Sequence, residues 1–190
     1  QEGINAQLSV PINNWDAFRN NLYSKKDFLN MPIKIAIEDD GLSFFKLTIK
    51  VRKQIVADGL KIDEYDVTNV GKHLNAKQWN DAMENGAVVV DMRNHYESEI
   101  GRFKGAICPD AETFKEELPM VKDMLQGKED KQVLLYCTGG IRCEKASNYL
   151  DNKGFKYVYM LKGGIINYFN KTNPVRSNWL GECFVFDNRV

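Results

Sequence analysis

The chain has 190 residues, 43% hydrophobic and 27% charged, enough for one ordinary domain or two small ones with a buried core. Lys plus Arg and Asp plus Glu both total 26, so the formal net charge is zero. That argues against a protein that holds nucleic acid through a global positive field and leaves room only for a local basic face. Apolar runs such as Ala87 to Val90 and Tyr157 to Leu161 are too short to span a bilayer, so no membrane role is expected.

In chain order, Gln7 to Val10 predicts a short strand with Leu8 and Val10 on one face. Trp15, Phe18 and Leu22 recur at helical spacing after Asn13 and Asn14, either of which suits an N-cap. Ile33, Ile35 and Ile37 alternate with Lys34 and Ala36 as a strand does, and Asp39-Asp40-Gly41 marks a turn. Phe45, Leu47, Ile49 and Val51 alternate with Lys46, Thr48, Lys50 and Arg52. This predicts a half-buried strand whose outer face bears three positive charges, either plainly solvated or a track for a phosphate backbone. Residues 59 to 71 are polar and aperiodic, and a domain boundary is expected there.

Downstream the pattern changes. Ala87 to Met92 reads as a buried parallel strand ending near Asp91. Phe114, Leu118, Val121, Met124 and Leu125 form a helical stripe interrupted by Pro119. Val133 to Tyr136 is a second buried strand, and Ala146, Tyr149 and Leu150 begin a helix that stops at Gly154. Tyr157 to Leu161 is a third strand, followed by Gly163-Gly164 and another helix. Strands alternating with helices imply parallel crossovers and an α/β domain.

The four cysteines, Cys108, Cys137, Cys143 and Cys183, stand without a visible secretory signal and read as reduced thiols of a cytoplasmic protein. Only Cys137 and Cys143 lie close together, and His73 and His95 are distant in sequence, so no metal site is expected. No dinucleotide fingerprint, two-His-one-carboxylate set or haem motif is present, so no cofactor is identified.

The segment that bears chemistry runs from Val133 to Ser147. A buried strand delivers Cys137 to its carboxyl end, where ligand sites of open α/β folds lie. Thr138, Gly139, Gly140 and Ile141 follow, then Arg142 at the start of a helix. The glycines let successive N–H groups turn inward as an anion-binding nest, backed by the helix N-terminus. Such a nest lowers the thiol pKa and yields a reactive, partly exposed sulfur. Cys143, near the first turn, is either packing or a resolving thiol.

The loop Cys137 to Arg142 resembles the active-site loop of rhodanese-like sulfurtransferases. Asp91-Met92-Arg93, Gly101 to Ala106 and Leu161 to Ile165 resemble the other landmarks of that fold. Related phosphatases carry a longer loop between Cys and Arg. Gly3-Ile4-Asn5-Ala6-Gln7, Asp91 to Glu97, Cys137 to Ser147 and Phe184-Val185-Phe186-Asp187 are similar to one subgroup, the tRNA uridine hydroxylase family. That resemblance implies oxygen-dependent formation of 5-hydroxyuridine at the tRNA wobble position, with molecular oxygen as co-substrate. It implies tRNA and a reductant as partners, with no DNA and no membrane. It also implies a ferredoxin-like or acylphosphatase-like α+β domain, truncated here, over residues 1–70. A rhodanese-like domain, with helices on both faces of a parallel sheet, follows over 71–180, and an extension over 181–190. In the family, further strands precede the Gly-Ile-Asn-Ala segment and a cysteine-rich tail follows.

By the same resemblance Cys137 is the nucleophile and persulfide carrier, its charge held by the N–H groups of Thr138 to Arg142. Arg142 contacts an anionic substrate group or forms a structural salt bridge. Asp91 and Arg93 orient the loop or serve as structural partners, Glu97 supports the site, and His95 is a general acid or base or else packing. Lys46, Lys50, Arg52 and Lys145 are candidate tRNA phosphate contacts, or simply solvated. Two alternatives remain open: a sulfurtransferase acting through a Cys137 persulfide, and a non-enzymatic interaction module.

Overall fold

The computed structural model describes residues 4–33, 35, 44, 46–60 and 71–184. The chain divides into two compact units, one holding the described residues up to Ile55 and one spanning Val56–Phe184.

In the first unit the Trp15, Phe18 and Leu22 spacing forms helix α1 (Trp15–Tyr23). The Trp15 and Phe18 rings lie 6.1 Å apart. Asn14 makes no side-chain capping bond, because a 3-10 turn over Ile12–Asn14 already places it in the helical region. Two strand expectations are corrected. Residues 7–10 and 46–52 form no strand, and Leu47, Ile49 and Val51 are exposed along with Lys46, Lys50 and Arg52. Alternation alone does not make a strand: the backbone groups need a partner ladder, and no described strand pairs with either segment. Lys34, residues 36–43 and Phe45 lie outside the described residues, as do 61–70 and 185–187, so the Asp39–Gly41 turn is among them.

The second unit is the parallel α/β architecture that the downstream pattern implies. Four strands, β1 (Lys72–Leu74), β2 (Val88–Asp91), β4 (Gln132–Tyr136) and β5 (Tyr157–Leu161), pair in the order β1-β5-β4-β2, all parallel. Helices α2 (Ala76–Glu84), α3 (His95–Ile100), α4 (Phe114–Met124), α5 (Ile141–Asn152) and α6 (Gly164–Lys171) connect them. A two-stranded antiparallel ribbon, β3 (Gly101–Phe103) with β6 (Trp179–Gly181), completes the unit.

Strand period two divides the core. Val133, Leu135 and Cys137 point to one face and pack with Phe114, Leu118 and Val121 of α4 and Cys143, Ala146 and Leu150 of α5. Leu134 and Tyr136 point to the other, against Trp79 of α2 and Ile165 and Tyr168 of α6. Each fully buried leucine contributes roughly 1.5–3 kcal/mol. Asn75 starts α2 with a reciprocal capping box to Gln78 at 3.0 Å in both directions.

Pro119 does not interrupt α4. It lies on the exposed face, where water can satisfy the carbonyl it leaves unpaired. Met124, expected in the buried stripe, is 43% exposed because it is the last residue of that helix and Leu125 takes the buried position. Among the described residues no helix is long and apolar enough to cross a membrane.

Candidate active site

Strand β4 delivers Cys137 into a loop that turns directly into α5. Gly140 adopts φ 110°, a left-handed conformation that side chains resist, and this aims its N–H at Cys137 Sγ, 3.1 Å away. Gly139 at the loop tip is exposed. The loop is braced from behind by the start of α6. Ile165 N donates to Cys137 O (3.1 Å) and Ile166 N to Thr138 O (3.4 Å). Gly164, at φ 68°, makes this approach feasible, since a Cβ there would lie 2.3 Å from Thr138 O and 2.6 Å from Cys137 O.

The Cys137 thiol is lowered from 9.0 to about 6. The first cause is a side-chain hydrogen bond with Cys143; burial opposes it, and the Arg142 charge and the Cys143 and Gly140 N–H groups add to it. Cys143 moves the opposite way, well above its ordinary value, through burial and its bond to Cys137. Cys143 therefore keeps its proton and donates it to a Cys137 thiolate. The sulfur is deeper than expected: Cys137 is 1% exposed, because its side chain follows the inward register of Val133 and Leu135.

Arg142 is held by fully buried Glu97, with Nη1 donating to Oε1 at 2.6 Å and Nη2 to Oε2 at 3.2 Å. Its Nη2 also donates to Thr138 Oγ1 (3.2 Å), and Thr138 Oγ1 in turn donates to Glu97 Oε2 (3.3 Å). Glu97 also accepts from Asn94 N (3.1 Å), which fixes the start of α3. The salt-bridge alternative for Arg142 is thus realised. It locks the far end of the loop while its cation still favours the Cys137 thiolate.

Asp91 and Arg93 form a separate buried pair. Arg93 Nε donates to Asp91 Oδ1 (2.9 Å) and Nη2 to Oδ2 (2.7 Å), while Tyr136 Oη donates to Oδ2 (2.7 Å). Arg93 Nη2 also donates to Gly101 O (2.6 Å), and its guanidinium lies 5.1 Å from the Trp179 ring. These residues tie β2, β4 and the β3–β6 ribbon together. Burial raises the Asp91 carboxyl despite the arginine, and Asp91 lifts Arg93 further against its own burial.

His95 is drawn to surface carboxylates, with Nε2 3.5 Å from Glu99 and Nδ1 3.8 Å from Asp110. Lys145 is a correction. It is 3% exposed and pairs with buried Asp58, so it does not face a phosphate backbone. Its position on the inner face of α5 dictates this: Lys145 neighbours Ala146 there and anchors the segment that packs Val56 and Leu60 on the core. Lys46, Lys50 and Arg52 belong to the other unit and are exposed. Two residues escape a reading based on motifs: Asp58, and Glu117 in the buried stripe of α4. The signal for Glu117 was present, since it stands three residues after Phe114 and four before Val121.

The chain matches the rhodanese-like domain over residues 75–171 and the UPF0176 acylphosphatase-like domain over residues 1–55. It is 54% identical to a tRNA uridine(34) hydroxylase of Leptospira interrogans, over 100% of this chain and 53% of that protein. It is 49% identical to a tRNA uridine(34) hydroxylase of Photorhabdus laumondii, over 100% of this chain and 55% of that protein. The chain thus spans about half the length of the curated relatives it matches. Among solved structures, a rhodanese-like domain protein from Staphylococcus aureus aligns at 19% identity with a TM-score of 0.42, over 51% of this chain and 90% of that one. A cysteine of lowered pKa cradled at a strand-to-helix turn, within a match that spans just over half the chain, leads to one conclusion: the chain belongs to the rhodanese-like family, its rhodanese-like domain preceded by a UPF0176 acylphosphatase-like domain.

Proposed function

We propose that this chain is the catalytic portion of a tRNA-modifying oxidoreductase that hydroxylates the wobble uridine to 5-hydroxyuridine. The observation that carries the reading is similarity over the whole chain to proteins named tRNA uridine(34) hydroxylase, joined to an intact Cys137 loop. In this reading one atom of molecular oxygen enters the base, and a two-electron reductant takes the other to water. Cys137 is the covalent centre. Its thiolate attacks an electrophile and bears sulfur as a persulfide during the cycle, with the loop N–H groups and Arg142 stabilising the negative sulfur. Lys46, Lys50 and Arg52 supply phosphate contacts to tRNA in the cytoplasm.

The test is genetic and chemical. In a strain lacking the gene, the full-length protein restores 5-hydroxyuridine derivatives at the wobble position, read by mass spectrometry of tRNA, and Cys137→Ala does not. Restoration by Cys137→Ala would overturn the reading.

A second reading, sulfur transfer to a thiophilic acceptor, is favoured by the low-pKa thiolate within a short loop. Thiosulfate-to-cyanide turnover that disappears in Cys137→Ala, alongside unchanged tRNA in the deletion strain, would place this reading first.

A further inference from the structure

Helix α4 turns one carboxyl into the core. Phe114, Glu117, Leu118 and Val121 share its buried face, which packs on the same side of the sheet as Cys137 and Cys143. Glu117 is 0% exposed, and neither of its carboxylate oxygens has a hydrogen-bond partner. It is the one carboxyl of that kind among the described residues. A buried, unpartnered carboxylate is costly, so the group persists as a neutral acid. Burial lifts it from 4.5 to about 9; Arg142 opposes the rise, and Asp91, Cys137 and Glu97 reinforce it. Cys143 senses it as well. The charged and titratable groups that act on it through space come from β2 (Asp91), α3 (Glu97), the loop after β4 (Cys137) and α5 (Arg142 and Cys143). An apolar residue would pack this face without that cost, and buried acids held neutral beside a nucleophile are a recurrent means of donating protons.

We propose that Glu117 is the proton donor of the Cys137 site, acting on the thiolate that departs when Cys137 takes up a sulfur atom. This rests on the reading of Cys137 as a sulfur carrier. With a small-molecule persulfide as donor, Cys137 Sγ bonds to the donor's terminal sulfur and the donor's S–S bond breaks. The electron pair stays on the departing thiolate, which takes the Glu117 proton and leaves as a thiol. The terminal sulfur keeps its hydrogen, so Cys137 becomes a persulfide with no net oxidation. The Glu117 carboxylate left behind is steadied by Arg142 and regains a proton from water.

The experiment uses the full-length protein with glutathione persulfide as donor. The rate at which Cys137 gains one sulfur in mass is followed against pH, for wild type and Glu117→Gln. The wild-type rate is expected to rise with the Cys137 thiolate and fall as Glu117 loses its proton. Glu117→Gln is expected to slow uptake by roughly 10²-fold at neutral pH and to abolish the alkaline fall. Alkylation of Cys137 by iodoacetamide, whose iodide leaves without a proton, is expected to stay within about twofold of wild type, since Gln preserves the neutral charge. Equal uptake rates and pH profiles in the two proteins overturn the proposal, as does an alkylation loss as large as the uptake loss. A wild-type Cys137 that never gains sulfur overturns the sulfur-carrier reading itself and this step with it, and is seen without any variant.

Discussion

Two side chains and a backbone N–H set the reactivity of Cys137. The thiol of Cys143 donates to it, Arg142 adds a cation, and Gly140 presents its N–H. Because the folded thiol titrates at about 6 rather than 9.0, alkylation should rise through about pH 6 and level off by neutrality. Cys143→Ala removes the leading cause and should raise that midpoint by roughly one unit. An unmoved midpoint would assign the depression to Arg142 and the backbone. The same shift affects stability. A depressed thiol favours the folded state fully above about pH 9, and that share is lost as pH falls through about 6. Glu117 has the opposite sign. Its raised carboxyl weakens the folded state progressively as pH climbs from 4.5 toward about 9. Glu117→Gln should therefore melt higher than wild type, with a margin that widens between about pH 6 and about pH 8.5. A margin independent of pH would mean the carboxyl is not held neutral.

At the level of elements, the loop is shaped as much by what stands behind it as by its own glycines. The α6 amides of Ile165 and Ile166 grip the carbonyls of Cys137 and Thr138 across a gap that only a glycine at 164 leaves open. Gly164→Ala should push the loop off α6, cost more than about 2 kcal/mol in denaturant unfolding, and return the Cys137 midpoint toward its ordinary value. The Asp91–Arg93 pair is a second brace. Arg93→Met leaves a buried carboxylate without its charge partner and should cost about 3–5 kcal/mol by the same measurement. The Gly139–Gly140 turn and the strand before it were legible from residues 133–142, because turn chemistry and buried runs are local signals. The brace from α6 was not, since nothing local says which turn Gly164 will meet.

At the scale of the whole chain, zero net charge provides no global positive field, so the proposed reading requires a local surface for tRNA. Lys46, Lys50 and Arg52 are exposed, though not as the outer face of a strand. If they contact phosphates, replacing all three with Glu should weaken tRNA binding and flatten its dependence on salt by roughly three units of log–log slope. An unchanged slope returns them to plain solvation. Lys145 is the fourth positive candidate, yet burial against Asp58 removes it from any such surface.

The sequence by itself determined the parallel α/β unit, the strand that ends at Cys137, the nest that follows, and the family resemblance. All of these are encoded in contiguous runs of hydrophobicity, glycine and charge. Only the tertiary structure decided which charges are partners and which are free to act. It paired Arg142 with Glu97 across 45 residues and Lys145 with Asp58 across 87, and it left Glu117 without a hydrogen-bond partner on the side of the sheet that holds the cysteine. The reason is physical. Desolvation and pairing depend on which helix faces meet over the sheet, and those meetings join positions that are remote along the chain.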